Sequence, residues 1–322
     1  METNTPKLIS TAPSQGLSPY REKARAFASN SKSEATKKAY AKQWERFDAW
    51  TLETGETALP ASPLTVAGYI AFLAEEGIRP TSINLAVTSI SQAHKLSGHE
   101  SPTSSPIVRE TLKGIRRHVG TAVAQKEPLV VEHLQRICGC FGDDLIDHRN
   151  RALLLVGFAG AFRRSELVAL TAEDISEAPE GLRVVIRRSK TDQEGAGRTV
   201  GIPFGNDPAL CPVRSLRAWL TEAGITSGEI FRGVDRYDHI SARGLSGRSV
   251  ARIIKGLVEQ AGYDPAKFSG HSLRAGLATA AAAAGKSERA IMNTTGHRSV
   301  SMVRRYIRQG SVFRDNAADG LL

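Results

Sequence analysis

The chain has 322 residues, 41% of them hydrophobic, which is enough for two domains with cores of their own and argues against disorder. Its 43 Lys and Arg outnumber 33 Asp and Glu for a net charge of +10, a surplus suited to a polyanionic partner such as nucleic acid. No apolar run reaches the ~18 residues that span a membrane, and Cys138, Cys140 and Cys211 lack the spacing of a disulfide framework or a zinc site, which suits a reducing cytoplasm.

Residues 1–20 are polar, without the apolar core of a signal peptide, and are expected to form a flexible tail. From Ser33 to Trp50 the spacing of Tyr40, Trp44 and Phe47 predicts a helix with one apolar face, and Lys38 and Lys42 share a separate cationic face. "SPLTVAGYIAFLAEEG" opens on a cap-like Ser62 with Pro63 and stops at Gly77; "RPTSINLAVTSISQAHKLSG" repeats that design. "SSPIVRETLKGIRRHVG" adds another helix with Arg116 and Arg117 near its end. Residues 21–120 therefore read as an all-helical domain, and "TAVAQKEP", 121–128, as a linker.

Residues 129–322 form a second, α+β unit. "VEHLQRICGCF" and "DHRNRALLLVGFAGAFRRSELVAL" have helical patterns. The period then changes: "GLRVVIRRSK" and "RTVGIP" flank the turn-rich "TDQEGAG" and predict a β-hairpin. Helices return in "VRSLRAWLTEAG", "GRSVARIIKGLVEQAG", "SLRAGLATAAAAAG", "SERAIMNTTG" and "VSMVRRYIRQG".

Five places in this unit could carry chemistry, and each has a plainer reading. Arg163 or Arg164 could be a surface arginine paired with Glu166 or Glu173, and Lys190 a solvated hairpin lysine. His271 and Arg274 lie a turn apart at a helix start, where the free N–H groups and the macrodipole favour a phosphate; they could equally cap and solvate that helix. His297 follows a glycine and could be a turn residue, and Tyr306, three after Val303, could pack in the core.

Taken in order, these residues resemble the tyrosine recombinase (phage integrase) family. "AFRRSELVAL" is similar to its G-L-R-x-S-E-L box, a register that selects Arg163 as the catalytic arginine and puts Glu166 in the acidic position. "SKT" resembles the hairpin-lysine motif and gives Lys190; "GHSLRAG" resembles the H-x-x-R box and gives His271 and Arg274. "TGHRSVSMVRRYIR" resembles the last box and gives His297 and the nucleophile Tyr306. The resemblance spans nearly the whole chain. It implies a mainly α fold: a SAM-like helical core-binding domain at 21–120, with Lys38, Lys42, Arg116 and Arg117 as DNA-contact candidates, and an α+β catalytic domain with a small antiparallel sheet at 129–322. The two-unit layout is similar to the Cre subgroup, although Cre carries tryptophan where this chain has His297.

What the resemblance implies is site-specific cutting and rejoining of DNA through a 3′-phosphotyrosine and a Holliday junction, with no metal, nucleotide or other cofactor. Arg163 and Arg274 would grip the non-bridging oxygens, His297 would add a hydrogen bond, His271 would accept the Tyr306 proton or position it, and Lys190 would protonate the leaving 5′-oxygen. The implied partners are double-stranded DNA with an inverted-repeat site, a dimer per site, a tetramer on two sites and an accessory directionality factor. Val312, Phe313, Leu321 and Leu322 would dock on a neighbouring protomer. Two other functions use the same groups: a type IB topoisomerase acting on one duplex, and a sequence-specific DNA binder without catalysis.

Overall fold

A computed structural model describes residues 31–120, 125–187 and 197–310, with 20, 23 and 27, and for 307–310 the backbone alone. The chain divides into two compact units, Met1–Val123 and Ala124–Leu322.

In the first unit, α1 (Glu34–Thr54), α2 (Pro63–Glu75), α3 (Pro80–Leu96) and α4 (Pro106–Val119) surround one core. Helix starts follow local chemistry. The Ser33 and Ser62 hydroxyls accept from the amides of Thr36 and Thr65 at 3.3 and 3.0 Å, and Pro63, Pro80 and Pro106 fill first-turn positions where no amide is needed. Phe47, Tyr69, Ile70, Leu73, Ile83 and Ile90 are fully or almost fully buried. A buried histidine locks the α1–α2 connection: His94 Nε2 accepts from the Ala61 amide at 2.9 Å, so its Nδ1–H donates to the Ile90 carbonyl at 2.8 Å. Lys38 and Lys42 are exposed on α1, as are Arg116 and Arg117 on α4, where Arg116 donates to Asn84.

The second unit is built on α6 (Leu145–Ala159), whose Leu153, Leu154, Leu155 and Val156 are all buried. Around it lie α5 (Val131–Cys138), α7 (Arg164–Val168), α8 (Pro212–Glu222), α9 (Gly247–Gln260), α10 (Ser272–Ala283), α11 (Glu288–Thr295) and α12 (Val300–Gly310). The strands β1 (Ile175–Ala178), β2 (Gly181–Ile186) and β3 (Arg198–Pro203) form an antiparallel sheet in that order; β4 (Arg232–Val234) pairs with β5 (Ile240–Gly244). Leu182 faces Ile202 and Val184 faces Val200 across β2 and β3, and these four point into the core. The fold is thus mainly α with small antiparallel sheets. No helix among the described residues is long and apolar enough to cross a membrane.

The helical run from 147 to 170 is interrupted just before the paired arginines: α6 stops at Ala159, Ala161 turns to φ 47°, and α7 begins at Arg164. β1 and the β4–β5 pair were not legible in the sequence pattern. The tail residues Val312, Phe313, Leu321 and Leu322 lie outside the described residues.

Candidate active site

The break after α6 builds the first wall of the site. The left-handed turn at Ala161 aims its carbonyl at α10, where it accepts from Arg274 Nη1 at 2.8 Å. Two residues on, Arg163 occupies the N-cap of α7. Its amide donates to Glu166 Oε2 at 3.0 Å and its Nη1 to Glu166 Oε1 at 2.6 Å, so one buried carboxylate fixes both the backbone and the guanidinium. Arg164 points elsewhere, with its side chain against Gly270 and its Nη1 3.5 Å from the Gly247 carbonyl.

β3 supplies Arg198, which sequence reasoning missed. Its Nη2 lies 3.4 Å from Glu166 Oε2 and its Nη1 donates to the Thr294 carbonyl at 2.8 Å. Arg198 therefore ties the carboxylate that holds Arg163 to the end of α11. Gly296 follows with φ 65°; a Cβ there would stand 2.8 Å from Arg198 Nε, so both the turn and the arginine require glycine.

The alanine-rich α10 carries Arg274 at 1% exposure, with Nη2 buried and, among the described residues, without a hydrogen-bond partner. Burial, then the neighbouring Arg163 charge, lowers its pKa to about 10, which leaves it protonated at neutral pH. Gly276 on the same helix lies against the Leu129 backbone, and the Leu129 amide donates to the Ser272 carbonyl at 2.9 Å. His271 precedes the helix, and its Nε2 stands 3.0 Å from Tyr306 Oη. His271 is exposed at the surface of the chain, yet partial loss of water around its ring, followed by the charges of Arg274, Arg163 and Arg164, pushes its pKa below the ordinary value and favours the neutral ring that can accept a proton.

α12 brings the tyrosine in. Val303, fully buried, packs with Ala278, Ala282 and Ile291, and the small α10 side chains let α12 approach closely. Tyr306, one turn further, then reaches His271. His297 is 7% exposed, its Nδ1 is 2.8 Å from Thr295 Oγ1, and its ring centroid is 5.7 Å from that of Tyr306. Burial first, then Arg274, Arg163, His271 and Arg198, lowers its pKa to about 4.

Arg163, Glu166, His271, Arg274, His297 and Tyr306 are thus brought together, from four separate stretches of chain. Lys190 lies outside the described residues, and Lys38, Lys42, Arg116 and Arg117 belong to the other unit. Among the described residues, no His, Cys, Asp and Glu cluster could hold a metal ion. Arg198 had one faint signal, a lone arginine opening the return strand of the hairpin.

The Phage integrase family model matches residues 127–311, which include all six converging residues. The integrase/recombinase xerD homolog of Selenomonas ruminantium is 41% identical over 299 residues, covering 92% of this chain and 87% of its own. Recombinase cre of Escherichia phage P1 is 26% identical over 279 residues, covering 81% and 80%. Among solved structures, the Tn1549 transposon integrase in complex with transposon right end DNA gives a TM-score of 0.64 at 13% identity, covering 88% of this chain and 92% of that one. A lambda integrase dimer bound to a COC′ core site gives 0.61 at 18% identity, covering 90% and 75%. With a family model spanning the whole constellation and a relative aligned over nearly the full length, the chain belongs to the phage integrase family and is a tyrosine site-specific recombinase.

Proposed function

We propose that this recombinase cuts and rejoins double-stranded DNA through a 3′-phosphotyrosyl link to Tyr306. The observation that carries the reading is the 3.0 Å contact between His271 Nε2 and Tyr306 Oη, beside the unpartnered Nη2 of buried Arg274. A phenol is protonated at neutral pH, with an ordinary pKa of about 10, so a tyrosine nucleophile needs an acceptor for its proton.

Tyr306 Oη attacks the phosphorus, the bond to the 5′-oxygen breaks, and the phenol proton passes to His271. Lys190, which falls between β2 and β3 in the sequence, protonates the leaving 5′-oxygen. Arg163 and Arg274 hold the non-bridging oxygens as they gain charge, which side-chain cations at fixed positions can do without a metal ion. The phosphodiester energy stays in the tyrosyl ester, so a 5′-hydroxyl from another strand restores the backbone by the reverse steps, without ATP.

Exchange between two duplexes needs four such cuts, taken in pairs through a Holliday junction. That supports a tetramer on two inverted-repeat sites, with a dimer on each and room for a directionality factor. The first unit serves as the core-binding domain, with Lys38, Lys42, Arg116 and Arg117 toward the phosphates. An apolar pocket of about 330 Å³, lined by Phe158, Pro203, Leu277, Ala281 and Ile291 among others, suits the apolar tail residues of a neighbouring protomer.

The test is a covalent trap. Wild type and Tyr306→Phe are incubated in EDTA with nicked duplexes drawn from DNA flanking the gene, then run on denaturing gels. An adduct in wild type alone is expected. An adduct that persists in Tyr306→Phe removes Tyr306 as nucleophile, and relaxation of plasmids that lack any specific site returns the topoisomerase reading.

A further inference from the structure

His297 is anchored by a residue that the proposed chemistry does not use. Thr295 is fully buried, and its hydroxyl has two neighbours: the Ile291 carbonyl at 2.7 Å and His297 Nδ1 at 2.8 Å. A threonine hydroxyl carries one proton. The carbonyl can only accept, so the hydroxyl donates there. The oxygen can then meet Nδ1 at 2.8 Å only by accepting, which places a proton on Nδ1. A neutral imidazole has one N–H, so Nε2, on the opposite edge of the ring, is left as a lone pair.

The charged groups around the ring keep it neutral. Arg274 and His271 approach from α10 and its lead-in, Arg163 from the start of α7, Arg198 from β3, and the Tyr306 ring lies 5.7 Å away on α12. Burial acts in the same direction. Without DNA, then, His297 cannot give a phosphate oxygen a hydrogen bond from Nε2.

We propose that Thr295 is a positioning residue that fixes the proton of neutral His297 on Nδ1, so that His297 becomes a donor to the scissile phosphate only by taking a second proton from water when DNA binds. The donor half rests on the functional reading above; the tautomer half does not. An arriving phosphate offsets part of the local positive charge and places an acceptor beside the ring, and the imidazolium it stabilises donates from both nitrogens, to Thr295 and to the phosphate. DNA binding is thereby linked to proton uptake at one histidine.

The first measurement is the nitrogen spectrum of the full chain labelled with ¹⁵N-histidine, free of DNA near neutral pH, with His297 assigned through His297→Gln. Protonated Nδ1 with bare Nε2 is expected; the opposite tautomer, or a doubly protonated ring, overturns the assignment without any reaction being run. Thr295→Val offers no acceptor and moves the proton to Nε2, whereas Thr295→Ser keeps it on Nδ1. The second measurement is the cleavage rate of a nicked substrate against pH. Above the His297 pKa in the complex, wild type and Thr295→Ser lose about tenfold per pH unit from this group, and Thr295→Val, which holds a neutral donor, does not. The ratio of Thr295→Val to wild type therefore rises with pH. A constant ratio overturns the donor half, since a purely structural effect of the valine would scale every rate alike. Absence of cleavage by wild type at every pH would instead count against the functional reading and leave the tautomer standing.

Discussion

Acid should destabilise this protein through His297 in a way that one substitution removes. The ring is held neutral in the folded chain, with its pKa lowered from 6.5 to about 4, and it is 7% exposed, so solvent screens the effect little. In the unfolded chain the same histidine titrates near its ordinary value of about 6.5. Below that value the unfolded state binds a proton that the folded state refuses, so stability falls as pH falls, and the loss is complete once the folded ring also protonates. At about 1.4 kcal/mol per pH unit, the full interval is worth about 3 kcal/mol, of which about 2 kcal/mol falls between pH 7 and pH 5. His297→Gln retains an N–H for Thr295 and cannot titrate in this range. Urea unfolding of both proteins at several pH values isolates the effect, because the carboxylates and His271 are common to the pair and cancel in the difference. Wild type is expected to lose about 2 kcal/mol more than His297→Gln on going from pH 7 to pH 5. Parallel stability curves would show that the ring protonates freely in the folded chain, and the account of its burial and of the surrounding cations would fail.

Glu166→Gln leaves one acceptor oxygen where the carboxylate served Arg163 twice and Arg198 once, so a stability loss of about 3 kcal/mol and slower cleavage are expected, with DNA affinity in filter binding undiminished because the site gains positive charge. Ala161→Gly relieves a left-handed alanine but loses a buried methyl and frees the unfolded chain; with each effect at about 1 kcal/mol the net loss is about 1 kcal/mol, whereas the β-branched Ala161→Val, measured by the same urea unfolding, is expected to lose about 3 kcal/mol. Gly276→Ala forces a Cβ into the Leu129 backbone and should cost at least about 2 kcal/mol in thermal or urea unfolding, where an ordinary helical Gly→Ala change stabilises.

The parts of the site that declare themselves in the sequence are those whose chemistry is unusual for their position. A histidine and an arginine opening an alanine run and a tyrosine nine residues after G-H form an order that packing alone does not demand. The choice of Arg163 over Arg164 has a local cause as well: a residue three before Glu166 shares a helix face with it, and that ion pair is present at 2.6 Å. The break between α6 and α7 left only a modest trace: Ala159 and Ala161 favour helix and the apolar period runs on through Phe162, while Gly160 and the paired arginines at 163 and 164 mark the change. β1 was hidden because two of its four residues are polar and it is stabilised by pairing with β2 rather than by any pattern of its own. Arg198 and Thr295 act through partners distant in sequence or through hydroxyl geometry, and neither leaves a periodic trace.

Electrostatics explains why these residues can sit together before DNA arrives, and why they are poised when it does. Around the His271–Tyr306 pair, Arg163, Arg198 and Arg274 face one described carboxylate, Glu166. Glu166 is committed to Arg163 and Arg198, so Arg274 has a backbone carbonyl for Nη1 and nothing for Nη2. A buried guanidinium left in this way is costly, and an anion that fills the gap recovers that cost. Burial first, and then the same uncompensated charge, lowers the pKa of both histidines and favours a neutral His271. On the proposed reading, a phosphodiester between Arg163 and Arg274 offsets part of that charge and so raises the proton affinity of His271. If that reading holds, the substrate itself supplies the counter-charge that favours proton transfer to His271, and a neutral phosphate analogue such as a methylphosphonate would fill the site without doing so.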